Sequence, residues 1–147
     1  MKNKLLVCVL CASIVLFCCS CGFFGPQKYI CEVDNVKQIQ IIQLDRYVEG
    51  EYRYEYTVLA QITDVQAFVE QLNSIEHSVN WGEPSVLYTG YIIIRVEYLN
   101  GDVDELYSNA QCFSRDGTTN GGFFFFNKEQ FDSLIDTYLE IEANSQR

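Results

Sequence analysis

"YIIIRVEYLNGDVDELYS", residues 91–108, decides the fold. Ile92, Ile94, Val96 and Tyr98 share the parity of one strand face, and every second side chain of a strand points the same way. Asn100-Gly101 accepts positive φ at both central positions of a tight turn, so the stretch predicts a β-hairpin. On the returning arm Asp102 and Asp104 fall on one face and Glu105 on the other. Carboxylates this close are Ca²⁺ ligands in other settings. The glycine-turned loop and distal Glu of an EF-hand are missing, so the arm reads as a solvated strand face.

Outward from the hairpin, the same periodicities give the other elements. "HSVNWGEPS" (77–85) reads as a loop on account of Asn80, Gly82 and Pro84. Before it, "TDVQAFVEQLNSIE" (63–76) carries Val65, Phe68, Val69, Leu72 and Ile75 at helical spacing, with Thr63 as the N-cap and Gln66 at the capping-box position. "QIQIIQL" (38–44) reads as a short strand. "YRYEYTVLAQI" (52–62) alternates so that Tyr52, Tyr54, Tyr56, Val58, Ala60 and Ile62 form one buried face, with Leu59 the exception on the other. After the hairpin, "FFFF" (123–126) follows two turn-rich runs and places two Phe on each face of a strand. "NKEQFDSLIDTYLE" (127–140) is a helix capped by Asn127, with Phe126 and Phe131 at hydrophobic-staple positions. The predicted class is α+β: an antiparallel sheet of five to six strands in the order ββα-ββ(ββ)-α, with both helices on one face. The single domain is expected over 38–142, after a tether at 22–37 and before a frayed tail at 143–147.

Composition bounds the function. Hydrophobic residues make up 48% of the 147, enough for a core and against disorder. Twenty acidic residues face ten basic ones, and the basic ones form no stripe, which excludes a phosphate-reading nucleic-acid binder. Such a surface serves solubility or a cationic partner.

Residues 1–21 read as a lipoprotein signal peptide, an address rather than a chemical site. "MKNK" is a short positive region, and "LLVCVLCASIVLF" (5–17) is an apolar run shorter than the ~20 residues a spanning helix needs. Five cysteines, Cys8, Cys11, Cys18, Cys19 and Cys21, fall within or just after it and act there as small hydrophobes rather than metal ligands. "CCSCG" resembles the lipobox of bacterial lipoproteins, with Ser20 as the small residue, Cys21 as the acceptor and Gly22 following; Cys18 stands where that family prefers Leu. The resemblance implies cleavage before Cys21, a thioether-linked diacylglycerol on its thiol, and membrane anchoring on the extracytoplasmic face. Cys19 is the competing acceptor. Loss of Lys2 and Lys4 with the leader takes the formal charge from −10 to −12. "WGEP", "VEYLNGDVDELYS" and "FFFFNKEQFDSLIDTYL" also look like small lipoproteins of Gram-positive bacteria, which implies surface anchoring and an α+β domain and brings no activity with it.

The chemistry-bearing residues are few. Cys31 and Cys112 remain after cleavage and are candidates for a disulfide in an oxidising compartment, with two ordinary thiols as the alternative. His77 is the one histidine, so any Ser-His-Asp site, or a Cys112–His77 pair, would have to be built on it. "DGTTNGG" leads into a Phe strand rather than a helix, unlike a phosphate cradle. No catalytic residue, metal site or cofactor is assigned. The candidate binding surface is Tyr52, Tyr54, Tyr56 and Trp81, because Tyr and Trp are favoured at interfaces. The expected function is a non-catalytic, membrane-tethered domain that binds a protein or peptide. The alternative is an immunity or inhibitor protein that neutralises a basic secreted toxin or hydrolase.

Overall fold

The computed structural model describes residues 28–49, 53–79, 88–107, 111–114, 123–145 and 147. The chain has the α+β architecture its patterning predicts. Among the described residues seven antiparallel strands form one sheet: β1 (Val36–Val48), β2 (Arg53–Gln61), β3 (His77–Val79), β4 (Ile92–Tyr98), β5 (Val103–Tyr107), β6 (Gln111–Ser114) and β7 (Phe123–Phe126). Their spatial order is β2-β1-β4-β5-β6-β7-β3. Helix α1 (Val65–Ser74) follows β2, and α2 (Lys128–Ser145) follows β7. The strand that the sequence reading lacked is β3, which replaces the start of an expected loop. Three residues are too few to show a period, and His77, Ser78 and Val79 owe their extended state to pairing with Phe126, Phe125 and Phe124.

The hairpin between β4 and β5 forms, but one residue longer at its loop than expected. Val96 pairs with Asp104 and Glu97 with Val103, which leaves Leu99, Asn100 and Gly101 as a three-residue connection. Gly101 sits at φ 91°, and its N–H donates to the Tyr98 carbonyl at 3.0 Å, so the glycine takes the left-handed position that closes such loops. The shift matters because a one-residue slip exchanges the two faces of a strand. In the observed register Leu106 enters the core opposite Ile94, and Asp104 enters it opposite Val96. The expected solvated face is therefore wrong at Asp104, which is fully buried.

β1 is longer than the 38–44 stretch, and β2 does not keep one buried face. The β1–β2 register shifts between Ile41 and Ile42, where Ala60 and then Val58 are the partners, and again between Leu44 and Arg46, where Tyr56 and then Glu55 are. Leu59, the residue that broke the alternation, is the extra residue of a bulge. Ala60 and Ile62 face the main core, whereas Tyr56 pairs with Leu44 and Val58 with Ile42 on the opposite side of the sheet.

Both helices cover one face. Phe68, Val69 and Leu72 of α1 and Phe131, Leu134 and Ile135 of α2 pack with Ile39, Ile41, Ile94, Val96, Leu106, Phe124 and Phe126. Each such side chain contributes about 1.5–3 kcal/mol when fully buried. The N-cap of α1 is Asp64, one residue later than expected; its carboxylate accepts the Ala67 N–H at 3.1 Å. Asn127 caps α2 through the Gln130 N–H at 3.1 Å, and Phe126 meets Phe131 with ring centroids 5.3 Å apart.

The stretch expected as tether is part of the domain from Tyr29 onward. Tyr29 and Cys31 are buried, and a 3₁₀ turn at Val33–Asn35 leads into β1. Asn73 holds this segment from both sides, accepting the Cys31 N–H at 2.8 Å and donating to its carbonyl at 2.9 Å. The Tyr29 ring meets Phe124 and Phe126 edge-on at 5.8 and 5.6 Å. Aromatic burial at the end of an apparently linker-like run has moved the boundary. At the other end α2 continues to Ser145, past the expected start of fraying.

Candidate functional site

The sheet face opposite these two helices carries a second apolar cluster. Ile42, Leu44, Ile93 and Tyr107 are buried there, and Tyr54 and Tyr91 pack against them. Backbone bonds fix this region: the Leu44 N–H donates to the Tyr91 carbonyl at 2.9 Å, and the Gly90 N–H donates to the Leu44 carbonyl at 2.6 Å. Around the cluster stand further tyrosines. Tyr47 lies across the strand pair from Tyr54 at 5.1 Å between centroids, and Tyr88 meets Tyr91 edge-on at 5.6 Å. Tyr56 and Val58 are 42% and 44% exposed, and Tyr88 is 58% exposed. The Arg95 guanidinium lies 5.6 Å from the Tyr56 ring centroid, with Nη1 3.4 Å from its hydroxyl oxygen. That contact orients the ring and leaves a cation at the patch.

Of the four residues expected at a binding surface, the structure brings Tyr54 and Tyr56 to this face, the first half-buried and the second exposed. Tyr52 and Trp81 lie outside the described residues. Tyr47, Tyr88 and Tyr91 join the face without having been singled out. Tyr47 lies between the two strands expected at 38–44 and 52–62, and the pairing of Tyr91 with Leu44 spans 47 residues, beyond any local pattern.

The polar side of the strand pair is ordered by charge. Arg46 donates to Glu55 from Nε at 3.1 Å and from Nη2 at 2.8 Å, and the Thr57 hydroxyl donates to Asp45 at 2.8 Å. The hydrogen bond and charge of Glu55 raise the Arg46 guanidinium further above its ordinary value. On β4, hydrogen bonds from Lys37 at 2.5 Å and Gln38 at 2.6 Å hold Glu97 below the usual carboxylate range.

A different constellation occupies the main core. Asp104 Oδ2 accepts the hydroxyls of Tyr98 at 2.6 Å and Tyr29 at 3.0 Å, and the Tyr98 oxygen lies 3.6 Å from Cys31 Sγ. Burial, then the charge of Asp104, pushes the Tyr98 phenol far above its usual value, so it remains a donor. The group locks the N-terminal segment to β4 and β5.

His77 belongs to the same lock. Its Nε2 accepts the Tyr29 N–H at 2.9 Å, and its Nδ1 lies 2.8 Å from the Ile75 carbonyl, which assigns the proton to Nδ1. Both ring nitrogens are thus bonded to backbone, a different arrangement from a general base aimed at a nucleophile. The side chain of Cys112, the other half of the expected disulfide and of the conceivable Cys–His pair, lies outside the described residues, as does Cys21.

Two hollows remain. One of about 330 Å³ between α1 and α2 is rimmed by Gln71, Ser74, Gln130, Ser133 and Thr137 over Ile75 and Leu134. The other, about 400 Å³, lies at the β4–β5 tip beside Glu32, Asn35 and Asp102. Among the described residues no group of three or more His, Cys, Asp or Glu side chains is placed to hold a metal ion, and no helix is long and apolar enough to cross a membrane.

Compared with known proteins, the chain matches no family model, no curated protein and no solved structure.

Proposed function

We propose that this chain is a lipid-anchored, extracytoplasmic and non-catalytic α+β domain that binds a protein or peptide partner through the tyrosine-bearing face of its sheet. The observation that carries the reading is the exposure of Tyr56 and Val58 on the sheet, and of Tyr88 just ahead of β4, around a buried apolar base. Tyrosine offers large contact area with only two side-chain torsions to immobilise, which suits it to binding. The lipobox-like "CCSCG" supports the location: a diacylglyceryl group on Cys21 supplies two acyl chains, where a single chain anchors only marginally.

Two measurements test the halves of this reading separately. A fatty-acid analogue should label the wild-type chain and not Cys21→Ala; continued labelling of the variant moves the acceptor to another cysteine such as Cys19. Capture from the envelope fraction should recover a protein with the wild type that is lost with Tyr56→Ser/Val58→Ser. Equal recovery with that variant defeats the assignment of the face.

The alternative, capture of a basic toxin or hydrolase, draws support from the exposed acids Glu129, Asp136 and Glu140 along α2. It predicts recovery that survives the Tyr56/Val58 change and falls steeply with salt.

A further inference from the structure

The two edges of the sheet are built differently. β3, at one edge, is three residues long, which is one of the ways proteins blunt an edge. β2, at the other, runs nine residues, contains neither Pro nor Lys, and pairs only with β1 among the described residues. Its side chains from Glu55 to Val58 are exposed. A long edge that presents Tyr and Val is a template for another strand.

We propose that the strand completing this edge is β2 of a second copy, paired antiparallel about a two-fold axis at Tyr56. The choice of occupant rests on self-complementarity and charge. With the axis at Tyr56, the two Tyr56 residues face one another, and each Tyr54 faces Val58 of the other copy. Aromatic–aromatic and aromatic–β-branched cross-strand pairs are favourable ones. On the other side of the strand Glu55 meets Thr57 of the other copy, so no like charges are opposed.

Neighbouring registers do worse. An axis at Glu55 opposes two carboxylates, and an axis at Thr57 sets Glu55 against Leu59, the extra residue of the bulge. The axis at Tyr56 keeps all five central residues, Tyr54 to Val58, on the N-terminal side of that bulge. The second register shift, between Leu44 and Arg46, places its extra residue, Asp45, on β1 and leaves β2 continuous from Tyr54 to Val58. The charge of −10 would normally keep two copies apart. Here the bidentate Arg46–Glu55 pair neutralises the edge locally.

The pairing joins two sheets of seven strands into one, with the two tyrosine faces side by side. It stands on the strand edge and is independent of which partner those faces hold. A strand pair this short covers less than the roughly 1,200 Å² of a standard interface, so the dimer is weak and concentration-dependent.

Cysteine cross-linking of the full chain in its membrane reads the register. Residues facing across an antiparallel pair have Cα atoms about 4.5–5.5 Å apart, within disulfide reach. Tyr56→Cys should give a covalent dimer on mild oxidation, well above the wild-type background from the native cysteines. In Val58→Cys the two introduced thiols are four residues out of register, roughly 14 Å apart at the strand rise, and dimer should stay at background. Both positions are exposed, so neither change threatens folding. Background-level dimer from Tyr56→Cys, or equal yields from both variants, overturns the proposal. Partner capture by the wild type is unaffected by that outcome, so the two readings fail separately.

Discussion

Replacing Tyr98 by Phe removes one oxygen atom and tests the buried lock. In the folded protein that hydroxyl donates to Asp104 Oδ2 at 2.6 Å, and both residues are buried, at 4% and 0% exposed. Phe fills the same space, so no cavity opens, and the loss is that of one hydrogen bond to a buried carboxylate. Such a bond contributes about 1.5–3 kcal/mol. The Tyr29 hydroxyl still reaches the same oxygen at 3.0 Å, which holds the cost below that of a wholly unsatisfied group. Urea denaturation followed by Trp fluorescence or circular dichroism is the assay. For a domain of this size the denaturant slope is about 2 kcal/mol per molar urea, so the midpoint should fall by roughly 1 M. Tyr29→Phe should lower it by less, because its bond is longer. A shift under about 0.3 M for Tyr98→Phe, at unchanged slope, would refute the view that this oxygen stabilises the junction of the N-terminal segment with β4 and β5.

Three further outcomes follow from the same geometry. Gly101→Val should destabilise by about 1–2 kcal/mol, the cost of an L-residue in the left-handed region, because a Cβ at that site meets nothing within 4 Å and backbone strain acts alone; thermal melting checks it. Phe131→Ala, which empties a fully buried site under α2, should cost about 3–5 kcal/mol by the same measurement. Glu97 has a folded-state value held below its unfolded one by hydrogen bonds from Lys37 and Gln38. Its stabilising contribution is therefore complete above the unfolded carboxyl range and is lost as pH falls through the folded value. Stability profiles from pH 7 to pH 3 should show a slightly shallower acid limb for Glu97→Gln, by less than about 1 kcal/mol for so solvent-screened a pair.

The elements were legible wherever a period ran long enough. Both helical stripes, the staple of Phe126 on Phe131 and the strand at Ile92–Tyr98 all follow from local spacing. Register was not legible. Asn-Gly was compatible with a two-residue turn, and tertiary packing chose the three-residue one, which carries Leu106 inward and Asp104 with it. A carboxylate occupies that place with donors from Tyr29 and Tyr98, 75 and 6 positions away, and no local pattern reports such a partnership. Leu59 was the clearest missed signal: a residue that breaks strict alternation between long apolar rows marks a bulge, and the bulge turns Tyr56 and Val58 away from the core. Part of the candidate face was thus named by residue type, while its position opposite the helices came from the register.

The central claim is that contact with a partner is made by the sheet face and not by the helices. A photoreactive phenylalanine analogue placed at Tyr56, at Tyr88, or at Ile141, which is 56% exposed on α2, tests it in intact cells. Irradiation should join the chain to the same second protein from positions 56 and 88 and leave position 141 without adduct. An adduct from position 141 alone would contradict the assignment.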